Sequence, residues 1–197
     1  LESVREAGTR ASTIVNDMLS FSRKGSDHMV PCDLCMLLDR AVELASRDYD
    51  LKRRFDFKAI TITRQYEEDL PAVTCEANQV QQVFLNILSN GAQAMAEKSY
   101  GLEASPGLIL SVAKAGYTVR VSIEDNGAGM NEEVRKRVFE PFFTTKEVGT
   151  GTGLGLSVSY FIITRNHSGA ISCESKPGQG STFTIHLPIN PPEEPKP

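Results

Sequence analysis

The chain has 197 residues, of which 40% are hydrophobic and 23% charged, and its formal net charge is −4 at pH 7. This length can hold one good core plus an appendage, and the composition is that of a globular protein. The acidic balance argues against a general nucleic-acid binder, and neither a membrane span of ~18 apolar residues nor a signal peptide is recognisable. We therefore expect a cytoplasmic protein without direct nucleic-acid or membrane contact and, because Leu1 comes first, a piece of a longer protein.

Four cysteines are present, at Cys32, Cys35, Cys75 and Cys173. Cys32 and Cys35 have the Cys-x-x-Cys spacing of redox and zinc motifs. However, no second Cys or His pair stands at zinc spacing, and no β-α-β pattern surrounds them. We interpret all four as ordinary buried or half-buried thiols in a reducing compartment.

The first half of the chain predicts three helices and two short strands. Residues 1–24 carry an apolar stripe that a single helix cannot bury alone, so this helix needs a partner. Asp33 can cap a second helix that continues to about residue 53. The alternating, β-branched run at 59–63 predicts a strand, another short strand is expected around Val73, and a third helix spans 78–96.

The second half predicts strands, short helices and a flexible tail. Residues 108–116 and 118–127 predict an antiparallel pair of strands, followed by a short helix at 131–139. A glycine-rich loop then leads into an apolar helix, and residues 170–175 and 181–187 predict a terminal hairpin. Helices mixed with mostly antiparallel strands predict an α+β fold, a two-layer sandwich behind a helical stalk.

The third helix carries a stripe of carboxamides. At 100° per residue, five side chains fall within about 40° on either side of Asn86, at the edge of the apolar face: Gln79, Gln82, Asn86, Asn90 and Gln93. A solvated flank is the alternative, but such flanks usually include Lys and Glu, which are missing between residues 79 and 93. An asparagine oxygen suits Mg²⁺, and its NH₂ group can donate to phosphate. The core face is predicted from Val80, Val83, Phe84, Ile87, Gly91 and Ala94.

Two glycine-containing motifs point to a nucleotide. Glycine recurs at every second position from Gly149 to Gly155, just before a helix, and a helix N-terminus suits an anion such as phosphate. The P-loop and dinucleotide patterns both fail here, and a flexible linker remains the alternative. Asp125 begins "DNGAGM" at a strand end. This is either a hairpin turn or a carboxylate that accepts the amine of a planar heterocycle, with glycines leaving room for the ring.

Five segments resemble the conserved boxes of sensor histidine kinases, of the nitrogen-regulator-like branch, and stand in the family's order. They are "NILSN" (86–90), "DNGAGM" (125–130), "FEPFFTTK" (139–146), "GTGTGLGLS" (149–157) and "GQGSTFTIHLP" (178–188). "TIVNDMLSFSR" (13–23) resembles the end of the second dimerisation helix. The resemblance implies the ATP-binding sandwich of the GHKL ATPases at 26–190, with part of a dimerisation hairpin at 1–25 and a flexible tail at 191–197.

The resemblance also implies ATP and Mg²⁺ as cofactors and assigns residues to them. Asp125 would bind the adenine amine, and Asn90 would coordinate Mg²⁺ with help from Asn86. Lys146 would reach the γ-phosphate, although a solvated lid lysine is an equal alternative. Residues 143–153 would form a lid over the nucleotide. The remaining implied contacts are Gly127 and Gly129 beside the adenine ring, Ser181 in its water shell, and Thr145, Gly151, Thr152, Gly153 and Leu154 around the phosphates.

The implied activity is transfer of the γ-phosphoryl group to a histidine on the dimerisation helix, and from there to an aspartate of a response-regulator receiver domain. The stalk would form a homodimer. None of His28, His167 and His186 has an acceptor context, so we expect the acceptor helix to lie outside this sequence. Asn86 stands where related ATPases have a glutamate base, which favours transfer over hydrolysis. The alternatives are an anti-sigma-type serine kinase and a nucleotide-binding module without transfer activity.

Overall fold

A computed structural model describes residues 29–47, 57–101, 104–146 and 151–190. The predicted stalk helix at 1–24, the end of the second helix at 48–53, Gly149 and the tail from residue 191 lie outside these ranges. The stalk and the domain limits at 25 and 190 therefore stay predictions.

The elements follow the predicted order closely. They are β1 (Val30–Cys32), α1 (Leu34–Arg47), β2 (Thr61–Tyr66), β3 (Val73–Cys75), α2 (Ala77–Ala96), β4 (Gly107–Ala115), β5 (Thr118–Asp125), α3 (Glu132–Arg137), α4 (Gly155–Phe161), β6 (Ala170–Lys176) and β7 (Gly180–Pro188). The strand predicted at 59–63 is β2, which begins at Thr61 and ends at Tyr66. It begins later than predicted because Phe57–Ala59 forms a 3₁₀ turn that buries Phe57. β1 was not predicted, since three residues with a central proline show no strand pattern.

Side-chain caps fix where the two long helices begin. Asp33 Oδ1 accepts hydrogen bonds from the backbone nitrogens of Cys35, at 2.8 Å, and Met36, at 3.1 Å, as the sequence predicted. The Glu76 carboxylate caps α2 by accepting from the backbone nitrogens of Asn78 and Gln79. Each such cap contributes about 1 kcal/mol of stability.

A five-stranded sheet with the order β2-β4-β5-β7-β6 forms one layer. β2 pairs with β4 in parallel and every other neighbour in this sheet is antiparallel, which confirms the predicted mostly antiparallel arrangement. β1 and β3 form a separate antiparallel pair, joined to the end of β7 by a hydrogen bond from Thr74 N to Ile189 O. The register places Asp125, the last residue of β5, opposite Ser181 of β7.

The core lies between one face of this sheet and the helices, which confirms the predicted two-layer sandwich. α1 and α4 both pack against α2, and α2 packs against β5 and β7. The buried side chains come from alternate positions of the strands and from one face of each helix, including Leu38, Phe84, Ile87, Leu110, Val121, Ile162 and Ile185. Of the core face predicted for α2, only Ala94 is half-buried instead, because it lies beside the cavity described below. No helix among the described residues is both long and apolar enough to cross a membrane.

His167 connects the start of α2 to the residues that follow α4. Its side chain is buried, with 2% of its surface exposed. Nε2 accepts a hydrogen bond from the Glu76 backbone nitrogen at 3.0 Å, so Nδ1 carries the proton and donates to Ile162 O at 2.9 Å. Burial lowers the pKa of this imidazole. Both ring nitrogens are thus engaged inside the fold.

Candidate functional site

A cavity of about 410 Å³ lies between α2, the end of β5 and the segment that joins α3 to α4. Most residues predicted for the site line it: Asn86, Asn90, Asp125, Gly129, Thr145, Lys146, Gly151, Thr152, Gly153 and Ser181. Gly127 and Leu154 are not part of the lining. Residues separated by up to about half of the chain are therefore brought to one place.

Asp125 lies at one end of the cavity and is almost fully buried, with 4% of its surface exposed. Its Oδ1 accepts a hydrogen bond from Gly127 N at 2.8 Å. Burial raises the pKa of this carboxyl to about 6, and hydrogen bonds from the backbone of Gly127 and Ser181 partly offset that rise. At pH 7 the group is mostly ionised, so it can accept a hydrogen bond from a ligand.

Gly127 is needed for close packing of the loop against α2. A Cβ atom at this position would lie 2.7 Å from the carbonyl carbon of Ala94, which is closer than carbon atoms approach one another. The neighbouring Ala128 N donates to Ala94 O at 3.1 Å. The glycine lets the loop sit directly on the last turns of α2, whereas its predicted place beside an adenine ring stays a prediction.

Three members of the carboxamide stripe of α2, Asn86, Asn90 and Gln93, line the other end of the cavity. All five side chains are half-buried, which is the edge position that the helical period predicts. Asn90 Nδ2 donates to Asn86 O at 2.9 Å, and its Oδ1 lies 3.2 Å from Lys146 Nζ. Lys146 Nζ also donates to Gln93 Oε1. A positive charge therefore already contacts the oxygens at this end.

Asn86 joins α4 to α2. Its Nδ2 donates to Gly155 O at 3.0 Å and to Ser159 Oγ at 3.3 Å, both in α4. A hydrogen bond from Phe142 N to Gly153 O closes the base of the segment between α3 and α4. Leu154 N donates to Thr152 Oγ1 at 3.3 Å, and the Leu154 side chain is buried. In this structure Leu154 anchors the segment in the core.

Asn90 fits a magnesium ion by its chemistry. Its Oδ1 is a neutral oxygen at the cavity wall, in contact with the Lys146 ammonium, which is itself a cation. Within the described ranges, no group of three or more His, Cys, Asp or Glu side chains could hold a metal ion. Mg²⁺ commonly takes one or two protein ligands and completes its shell with substrate phosphates and water.

Sequence reasoning missed three residues that support the Asp125 loop. Asn126 is hydrogen-bonded through both its main chain and its side chain, and Lys98 Nζ and Tyr100 OH both donate to Asn126. Asn126 lies within the quoted "DNGAGM", where only Asp125 and the glycines were given roles. Lys98 and Tyr100 follow the end of α2 and belong to no pattern that would single them out.

Comparison with known proteins gives a consistent set of relatives. Residues 75–191 match the family model described as "Histidine kinase-, DNA gyrase B-, and HSP90-like ATPase". Sensor kinase CckA of Brucella abortus is 35% identical over 94% of this chain and 20% of its own length. Sensory histidine kinase/phosphatase NtrB of Rhizobium leguminosarum bv. phaseoli is 31% identical over 92% of this chain and 47% of its own.

A solved structure extends the similarity to three dimensions. The crystal structure of full-length ShkA in complex with AMPPNP is 26% identical and superposes with a TM-score of 0.75 over 95% of this chain and 37% of that one. The chain spans less than half the length of each of these three proteins.

Proposed function

Because the chain belongs to the histidine kinase-, DNA gyrase B-, and HSP90-like ATPase family and its relatives are sensor histidine kinases, we propose that it is the catalytic core of such a kinase. It binds ATP and Mg²⁺ in the cavity beside α2. The γ-phosphoryl group then passes to a histidine on a dimerisation helix, and from there to an aspartate of a response regulator.

The observation that carries this proposal is the polarity of the cavity. One end holds a single buried carboxylate, Asp125, and the other holds carboxamides and the Lys146 ammonium. An adenine amine needs an acceptor, whereas phosphates need donors and positive charge. A nucleotide therefore has one favourable direction in the cavity, with its base at Asp125 and its phosphates toward Asn90 and Lys146. The ShkA complex with AMPPNP supports a nucleotide ligand in this fold.

The phosphate end favours positioning over hydrolysis. Mg²⁺ held by Asn90 Oδ1 would neutralise charge on the phosphates. Asn86 cannot remove a proton from water, and its NH₂ group is already bonded to α4. Phosphoryl transfer depends mainly on orientation and charge stabilisation, so the nucleophile has to be delivered by another helix.

Transfer to an added acceptor tests the activity. The chain is incubated with γ-labelled ATP, Mg²⁺ and an acceptor-helix domain from a sensor kinase that docks on it. We expect acid-labile, base-stable label on the added domain. Asn90→Ala should reduce this labelling far more than it weakens ADP binding, because Asn90 serves the metal and not the base.

A matched control for that experiment is Gln82→Ala. Gln82 is also a half-buried carboxamide of α2, but it does not line the cavity. Labelling by this variant should equal that of the unmodified chain. A folded chain that fails to bind any adenine nucleotide in calorimetry would refute the proposal, and so would full labelling by Asn90→Ala.

The partners follow from the same proposal. We infer that residues 1–25 form a homodimer with a second copy, and that the phosphorylated helix is read by a response-regulator receiver domain in the cytoplasm. Sedimentation of the chain with and without residues 1–25 tests the first point. A dimer that persists after their removal would place the interface elsewhere.

A further inference from the structure

We propose that Lys98 is a positioning residue for the nucleotide. Its side chain holds the loop after Asp125 against both α2 and the turn between β6 and β7. The inference rests on the proposed function, because it gives Lys98 a part in presenting Asp125 to an adenine. It adds a residue that belongs to none of the sequence motifs described above.

The contacts of Lys98 join three separate parts of the chain. Lys98 follows α2 by two residues, and its Nζ donates to Asn126 O at 2.7 Å and to Gly178 O at 2.9 Å. Asn126 follows Asp125 directly, and Gly178 lies in the turn between β6 and β7. The ammonium also lies 5.2 Å from the centre of the Tyr100 ring. One side chain thus connects the end of α2, the Asp125 loop and the hairpin turn.

Removing the ammonium would leave two carbonyl oxygens pointing at the same space. Hydrogen bonds from a charged donor are roughly twice as strong as those between neutral groups. The rest of the loop is held by Ala128, whose nitrogen donates to Ala94 O at 3.1 Å and whose oxygen accepts from Gly178 N at 2.7 Å. Those bonds hold the far side of the loop, whereas Asn126 O, immediately next to Asp125, accepts from Lys98 Nζ at 2.7 Å and from Tyr100 OH at the longer distance of 3.3 Å.

Lys98 also affects the charge on Asp125. Three titratable groups besides Lys98 interact with that carboxylate, Glu124 on β5, Cys173 on β6 and Tyr100 after α2, and Glu97 lines the same cavity. Glu124 raises the pKa of Asp125, and Lys98 is the cation that lowers it. A lysine with only a structural role would change stability alone, whereas a positioning lysine would also move the pH at which Asp125 becomes an acceptor.

The experiment measures ADP affinity by calorimetry between pH 5 and pH 8, using the whole chain. In the unmodified chain we expect affinity to fall as the pH drops through about 6, because Asp125 becomes protonated. Lys98→Met should bind ADP about tenfold more weakly at pH 7, which is the size of one lost charged hydrogen bond. Its pH midpoint should also move to a higher value.

Two variants serve as comparisons. Lys98→Arg keeps the charge and the donors, so its midpoint should stay where the unmodified chain has it. Lys114→Met removes an exposed lysine near the end of β4 that lies away from Asp125. It should change neither the ADP affinity nor the pH midpoint of binding. If Lys98→Met does not fold, Lys98→Gln replaces it, since its amide can still donate to one carbonyl without carrying charge.

The outcomes separate the two proposals. If the folded, unmodified chain does not bind ADP at any pH, the proposed function itself is refuted. Normal binding by the unmodified chain, with the same affinity and midpoint in folded Lys98→Met or Lys98→Gln, would overturn the role of Lys98 and leave the nucleotide site intact. A lowered melting temperature without a shifted midpoint would also overturn it.

Discussion

The two ends of the cavity are constructed by different means. At the Asp125 end, the loop is fixed by backbone hydrogen bonds to α2 and to the β6–β7 turn, and the carboxylate is buried. At the other end, Lys146 is held by the side-chain oxygens of Asn90 and Gln93. At the first end main-chain atoms accept or donate most of the hydrogen bonds, including the two from Lys98, whereas the second end is held by contacts between side chains.

This difference suggests how the site divides its work. A preorganised end can recognise a rigid, planar base without further ordering of the protein. Under the proposed function, an end made of side-chain contacts would accommodate phosphates and a metal ion. Substitutions at the first end should therefore change the stability of the fold, whereas substitutions at the second should change ligand binding or transfer with little effect on stability.

The largest effect is expected from Gly180→Ala. Gly180 has a φ of 98°, and a Cβ there would lie 1.9 Å from Asp125 O, so the β6–β7 turn and the Asp125 loop could not keep their contact. We expect a loss of at least about 4 kcal/mol in the free energy of unfolding, measured in urea. Gly178→Ala is the matched control in the same turn. Its φ is 76° with no atom within 4 Å of the added Cβ, so only about 1–2 kcal/mol should be lost.

The next effect concerns the stability cost of ionised Asp125. Its folded pKa is about 6 against an ordinary value of 3.8, so between these values the folded state holds the proton more tightly than the unfolded state. Stability contributed by this group therefore falls as the pH rises through that window. Asp125→Asn has no such group, and its stability relative to the unmodified chain should rise by up to about 3 kcal/mol between pH 4 and pH 7.

If the free energy of unfolding changes with pH in the same way for both proteins, burial does not disfavour the ionised form of Asp125. The comparison removes the contribution of the other carboxyl groups, because these are common to both proteins.

The same substitution should weaken nucleotide binding. An asparagine keeps the shape of Asp125 but offers a neutral acceptor to the adenine amine, and a hydrogen bond to a charged group contributes about 1.5–3 kcal/mol. Calorimetry at pH 7.5 should show a loss of that size for ADP and ATP alike. A more stable protein with unchanged affinity would mean that Asp125 does not face the base.

Sequence periodicity predicted much of this site and failed at identifiable places. The helical repeat placed all five carboxamides of α2 at the edge of its buried face, and strand alternation placed Asp125 at the end of β5. Both predictions depend on neighbours along one element. Lys98 contacts residues 28 and 80 positions away, and no local pattern reports such packing.

The role of Gly127 shows a second limit of sequence reasoning. Glycine was expected there to leave room for a ring, which stays a prediction, and the structure adds a second reason for it: a Cβ atom would lie 2.7 Å from the Ala94 carbonyl carbon of α2. A sequence can indicate that a side chain is not tolerated at a position. It cannot tell which neighbour excludes the side chain, because that depends on how two distant segments pack.

The smallest effect, and the sharpest test of the comparison between the two ends, is expected from Lys146→Met. To reach a γ-phosphate, Lys146 must exchange its hydrogen bonds with Asn90 and Gln93 for bonds to the ligand, so the net gain is only about 1 kcal/mol. ADP has no γ-phosphate and should bind to the variant unchanged, whereas ATP with Mg²⁺ should bind about fivefold more weakly. Lys136→Met, which removes an exposed lysine of α3 that does not line the cavity, is the control for net charge. Equal losses for both nucleotides would show that Lys146 supports the cavity as a whole, and no loss for either would mean that Lys146 contributes to binding neither nucleotide.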